Sequence, residues 1–215
     1  MSIKIEVWGD YACFTRPEMK AERVSYDVMT PSAARGIIES IYWHPGIRYH
    51  IDRIYVLNPI QFTNIRRNEV KSVISAASTL TALRNGRPAA LYAEEDRQQR
   101  ASMILRNVHY VIEAHFTITE QAAPGDNPGK ILGILNRRLN SGQCYSQPYF
   151  GCREFPVYFR EWTEEEIPAL PVTQDLGFML YDMNYSNPEN IRPMFFRAKM
   201  ANGVIEVPSA KEVCE

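Results

Sequence analysis

Hydrophobic and polar positions alternate between Ala101 and Ile118 over a longer run than anywhere else in the chain. The even positions from Ile104 to Ile118 are apolar except for Arg106, while the odd positions turn polar through Asn107, His109, Glu113 and His115. Period two with β-branched and aromatic residues predicts a strand with one face on a core and the other open. At roughly 3.4 Å per residue the run reaches about 60 Å, so it is expected to be central, and bent or shared between two sheets. Ile3, Ile5 and Val7 alternate with Lys4, Glu6 and Trp8, which predicts a first strand ended by Gly9-Asp10. Residues 11–29 read as an irregular loop. At Thr30-Pro31 a helix opens, because threonine caps free N–H groups and proline suits the first helical position. Ala34, Ile37, Ile38 and Ile41 form its apolar stripe, Pro45-Gly46 stops it, and a second strand follows over 47–57.

After the long strand, the Pro- and Gly-rich run 123–129 breaks the chain. The segment KILGILNRRLNSG then predicts a second helix with Ile131, Leu135 and Leu139 on one stripe, and Cys152–Phe159 supplies a fourth strand. This order is βαββαβ with one insertion, whose first part (QFTNIRRNEVKSVIS) reads as a hairpin arm. The expected fold is therefore α+β. A ferredoxin-like (RRM-type) domain spans 1–162, with an inserted arm over about 58–100. From Trp162 the chain turns acidic and proline-rich, and hairpins follow over 177–185 and 192–207, the latter turning at Asn202-Gly203. Residues 163–215 are thus expected to form a small C-terminal antiparallel β domain, packed on the first instead of folding alone.

Composition narrows the function classes. In 215 residues, 45% are hydrophobic and 23% charged, as in ordinary soluble globular proteins. A net charge of −1 means that any nucleic-acid surface is a local patch. No apolar run is long enough for a membrane span, and MSIKIEVWGD has no signal-peptide core. Cysteines at 13, 144, 152 and 214 lack metal-type spacing, so free thiols in a cytoplasmic protein are expected.

The sharpest local feature is Gly125-Asp126-Asn127-Pro128-Gly129-Lys130. A turn entering a helix exposes N–H groups at the positive end of the helix dipole, and the lysine adds a full charge suited to a phosphate. It is not a P-loop, and a capped helix with a solvated lysine is the alternative. Tyr42 ends the first helix beside its apolar stripe, where a packed tyrosine with a surface hydroxyl is the plain reading. His109 and His115 share the open strand face with Glu113, but lie about 20 Å apart, too far to hold one metal together. No metal or cofactor site is expected. Arg66 and Arg67 of the arm, with Arg106, His109, Arg137 and Arg138, are candidates for an RNA-tracking surface, with Trp8, Tyr49 and Tyr55 for stacking. The acidic neighbours of these arginines leave solvated charged faces as the alternative.

The stretch VWGDYACFTRPEMKAERVSYDVMTPSAARGIIESIYWHP resembles the N-terminus of the CRISPR-associated Cas-five family, d subtype. VLNPIQF, LRNVHYVIEAHF, NPGK and YFGCREFP extend the resemblance in order over most of residues 5–160. It implies an RRM-type domain followed by a small β domain. It also implies a metal-independent endoribonuclease that cuts precursor CRISPR RNA at the base of the repeat hairpin, leaving 2′,3′-cyclic phosphate and 5′-OH ends. The product's 5′ handle would stay bound within a type I-C surveillance complex of other Cas proteins. A non-catalytic subunit holding the crRNA handle is the alternative. The family's catalytic tyrosine maps onto Tyr42 and its lysine onto Lys130, but its histidine position is Ile131. His115 is a further candidate for the acid–base work that isoleucine cannot do.

Overall fold

The computed structural model describes residues 2–19, 21–88, 90, 92–210 and 212–213. The long alternating run becomes β4 (Arg97–Ile118), the strand that the others are built around. On one edge it pairs antiparallel with β1 (Ile3–Ala12), and on the other with β2 (Ile47–Val56). Ile112 faces both Ile5 and Ile54, three fully buried side chains across the middle of the sheet. Further back, β3 (Phe62–Val70) takes the β2 edge of β4, because Leu105 is paired with Ala12 on one side and Phe62 on the other. The strand is thus shared between the main sheet and a hairpin arm. Asn107, at a left-handed φ of 51°, lies just past that junction, and Ile104 and Leu105 are both buried there instead of alternating.

Thr30 caps α1 (Pro31–Ile41) by accepting the Ala33 N–H, and Ala34, Ile37, Ile38 and Ile41 are its buried stripe. The predicted breaker delivers Asn127, whose side chain accepts the Lys130 N–H and caps α3 (Pro128–Ser141). Ile131, Leu135 and Leu139 are buried as the periodicity predicts, and Gly142 ends the helix in the left-handed conformation. Within the arm, α2 (Ala76–Arg84) has no buried residue.

The end of β1 and the start of the fourth strand differ from the sequence reading. β1 does not stop at Gly9-Asp10 but runs to Ala12. Gly9 is there for space: a Cβ would sit 2.9 Å from the Pro156 carbonyl oxygen and 3.1 Å from the Phe150 ring. The fourth strand begins later than expected, as β5 (Tyr158–Glu161). Residues 152–157 turn instead, with the Phe155 N–H donated to the Cys152 carbonyl, and Pro156 has no N–H to offer a ladder.

The C-terminal strands are β6 (Gln174–Asn184), β7 (Arg192–Ala201) and β8 (Val204–Glu206), so the hairpin expected within 177–185 is instead one strand, which pairs along its length with β7. β7 and β8 are joined by the Asn202-Gly203 turn, and β8 pairs with β2. The path through the sheet reads β5-β1-β4-β2-β8-β7-β6, with β3 off it on β4. The architecture is α+β with a largely antiparallel sheet. Cys13, Cys144 and Cys152 are free thiols, and Cys214 lies outside the described residues. Among the described residues no helix is long and apolar enough to cross a membrane.

Candidate active site

The packing of α1 against α3 joins two sequence-distant candidates. Tyr42 is the residue that ends α1, its N–H donated to the Ile38 carbonyl and its ring buried. Arg138 of α3 holds it in place. The guanidinium lies 5.0 Å from the Tyr42 ring centre, and Nη1 donates to the Ile41 carbonyl at 2.5 Å. At the other end of α3, Lys130 lies close enough to Tyr42 to interact with it electrostatically.

Lys130 is half exposed and donates from Nζ to Asp126 Oδ1 at 2.8 Å. This hydrogen bond raises the lysine above its ordinary range and lowers the aspartate below its own. Asp126 is almost buried, and its other oxygen accepts the Ala123 N–H at 2.9 Å. That same oxygen lies 3.7 Å from Nε2 of His44. Tyr42, His44, Asp126 and Lys130 therefore form one group, of which the sequence reading found only the tyrosine and the lysine. His44 lies in the SIYWHP stretch at the end of the first helix, and nothing local in the sequence ties it to Asp126. Trp43 between them is 58% exposed and borders a cleft of about 670 Å³ that also includes Arg48, His50 and Thr117.

Other candidates lie elsewhere. His115 shares the face of β4 that carries Glu113 and His109, whereas Tyr49, the β2 residue near Tyr42 and Arg138, points to the helix side. His115 Nδ1 is 2.8 Å from Asp52 Oδ1, and its ring stacks on His50 at 4.9 Å. The structure does not bring it to Lys130. Ile131 is 1% exposed, so the position of the family histidine faces the core.

On the open face, His109 Nε2 lies 2.7 Å from Glu6, which also pairs with Arg160. Trp8 stacks on Tyr158 at 6.0 Å, with the Arg160 guanidinium 5.6 Å from its ring centre. Tyr55 gives its hydroxyl to Glu113, and Tyr49 is buried against Phe116, which removes it from any stacking surface. Arg66, Arg106 and Arg137 are exposed. Arg67 is bound instead to Glu154, with its guanidinium 5.1 Å from the centre of the Phe155 ring. Among the described residues no group of three or more His, Cys, Asp or Glu side chains is arranged to hold a metal ion.

The fold is α+β with a largely antiparallel sheet, and comparison with known proteins gives the family. The family model described as "CRISPR-associated protein (Cas_Cas5)", of the Cas5d type, matches residues 2–208. The chain is 48% identical to the CRISPR pre-crRNA endoribonuclease Cas5d of Mannheimia succiniciproducens, over 96% of this chain and 94% of that protein. It is 39% identical to the Cas5d of the same description from Thermus thermophilus, over 97% of this chain and 92% of the relative. A crystal structure of a CRISPR-associated protein shares the fold with a TM-score of 0.72 at 23% identity, covering 100% of this chain and 97% of the other. The chain belongs to the CRISPR-associated Cas5d family.

Proposed function

We propose that this protein is an endoribonuclease that cleaves precursor CRISPR RNA at the base of the repeat hairpin. It then holds the 5′ handle of the product as a subunit of a type I-C surveillance complex with other Cas proteins. The observation that supports this reading is that Lys130 lies within electrostatic range of Tyr42, across the packing of α1 on α3. The two residues of this chain that match the family's motif are 88 positions apart in sequence (130 − 42) yet within electrostatic range of each other.

The chemistry follows from that pair. The RNA's 2′-oxygen forms a bond to the neighbouring phosphorus as the bond from phosphorus to the 5′-oxygen breaks. Solvent takes the 2′ proton, and the Tyr42 hydroxyl gives its proton to the departing 5′-oxygen. The tyrosinate and the crowded phosphorane charge are both stabilised by the Lys130 ammonium, a cation placed before the reaction begins. The products are a 2′,3′-cyclic phosphate and a 5′-OH, and no divalent metal takes part. His115 has no part in this scheme.

We also read residues 1–162 as a ferredoxin-like, RRM-type domain with the arm inserted. The order β5-β1-β4-β2 supports it, since these are the fourth, first, third and second strands of βαββαβ. Residues 163–215 are read as a β unit carried on the β2 edge. RNA contacts are assigned to Arg66, Arg106, Arg137 and His109, with Arg67 and Arg138 reaching RNA only by leaving their present partners.

A second reading has one observation in its favour: Ile131 stands where the family has its histidine, so the chain would hold the crRNA handle without cutting it. Incubating purified protein with a repeat hairpin in EDTA decides between them. Cleavage with a 2′,3′-cyclic phosphate end is expected. Binding without cleavage selects the second reading, and activity that returns only with magnesium removes the metal-free scheme.

A further inference from the structure

The Tyr42–Lys130 site contains a third group that the mapped motif leaves out. His44 lies two residues beyond Tyr42, and its Nδ1 accepts the Gly46 N–H at 3.0 Å. An imidazole nitrogen that accepts an N–H carries no proton of its own, so the ring's single proton is on Nε2. Nε2 is the atom that points at Asp126, 3.7 Å from Oδ2, while Lys130 Nζ occupies Oδ1 of the same carboxylate at 2.8 Å.

The orientation is built in. A Cβ on Gly46 would lie 2.9 Å from His44 Nδ1 and 2.8 Å from the Ala122 Cα, so only glycine lets the 119–122 turn close on this loop. That turn is itself fixed by the Thr119 N–H on the Gly46 carbonyl and by the Thr119 hydroxyl on the Pro45 carbonyl. Lys130 thus hydrogen-bonds Asp126, and the His44 Nε2–H stands near the same carboxylate, 3.7 Å away and beyond hydrogen-bond distance. The Asp126 side chain is nearly buried, whereas the His44 and Lys130 side chains are 31% and 52% exposed, so both donors border solvent.

We infer that His44 is a hydrogen-bond donor to the scissile phosphate, acting from Nε2 near Lys130 Nζ, with the Gly46 N–H orienting the imidazole and Asp126 holding the lysine in the free protein. The inference rests on the endoribonuclease reading and adds a residue to that site. His44 moves no proton in this role. It stabilises charge on a non-bridging phosphate oxygen as the phosphorane forms, and it does so from a different position than the buried Ile131.

The test uses the geometry of the ring. Asparagine at 44 places its amide near the Nδ1 position and can keep the structural contact to Gly46. Glutamine reaches farther and offers an N–H near the Nε2 position. Single-turnover cleavage of a repeat hairpin is measured for wild type, His44→Ala, His44→Asn and His44→Gln, with hairpin affinity and melting temperature alongside. His44→Ala is expected to be slower by about 10²-fold, the usual effect of removing one donor at a developing oxyanion. His44→Gln should recover at least about tenfold of this, and His44→Asn should not. Recovery by asparagine and not glutamine, or rates that only follow the melting temperature, overturns the donor role and leaves a loop contact. Wild-type rates in His44→Ala overturn it as well. Absence of cleavage by the wild type overturns the nuclease reading itself, and the inference with it.

Discussion

The Arg138 guanidinium stands 5.0 Å from the centre of the Tyr42 ring and is anchored to the carbonyl of Ile41, the residue before it. A basic residue that looks available to RNA in the sequence is here a support for the tyrosine. Tyr42→Phe keeps the ring under that support and removes only the hydroxyl. Cleavage should fall by about 10²-fold or more, as for loss of a proton-transfer group, with little change in melting temperature. Arg138→Met should lower both, because the Ile41 carbonyl loses its donor. Near-wild-type cleavage by Tyr42→Phe would return Tyr42 to a packing role.

Lys130 projects outward from a capped helix start, and its ammonium is shared with Asp126 in the free protein. Lys130→Ala should slow single-turnover cleavage by about 10²-fold or more while the hairpin is still bound. An equal loss in affinity, with no additional loss in rate, would make Lys130 a positioning contact.

Elements with a local signature were legible in the sequence. Thr30-Pro31 announces α1 through the cap and the fixed proline φ, and the Ile131–Leu135–Leu139 spacing announces the buried face of α3. Gly9 misled because a glycine that makes room for a crossing loop looks the same as one that makes a turn. Pairing of β8 with β2 was not legible: three residues, Val204 to Glu206, meet Arg53 to Tyr55 far away in the chain, and no period in either segment records it. At the site, Lys130 stood out from its glycine-rich helix start, and the family motif joined it to Tyr42. His44 did not stand out, because its meaning comes from Asp126 and from the loop that Gly46 allows to approach.

Glu6 provides a pH test of the fold. Its side chain is 4% exposed on β1, and burial alone would raise its pKa. Hydrogen bonds from Arg160 and His109 overcome that and leave it below the ordinary carboxylate range. A carboxyl with a depressed folded-state pKa contributes stability that is complete above the unfolded value, about 4.3 for glutamate. That contribution disappears as pH falls through the folded value. Glu6→Gln should therefore cost about 1 kcal/mol at pH 7, since Arg160 is largely exposed and water screens the pair. The melting-temperature difference, roughly 2–4 °C for a chain of this size, should shrink below about pH 4. A constant difference from pH 7 to pH 3 would show that Glu6 contributes nothing through its charge.

Position 131 carries isoleucine where the family has histidine. Restoring the family's histidine there looks, on sequence alone, like a way to speed the reaction. The structure argues against it. Asn127 fixes the start of α3 by accepting the Lys130 N–H, and the next residue turns inward, where Ile131 is 1% exposed in line with Leu135 and Leu139. An imidazole at that position would lose apolar packing and leave ring nitrogens without water, a cost of about 1–3 kcal/mol for an unsatisfied buried polar group. Ile131→His should lower the melting temperature by several degrees, at roughly 2–4 °C per kcal/mol. Single-turnover cleavage, measured where both proteins are folded, should not rise. If the variant cut faster and its rate gained an inflection near the unperturbed histidine value of about 6.5, the ring would have to reach the phosphate. The start of α3 would then have to unwind when RNA binds, and the inward placement of position 131 would not describe the reacting state.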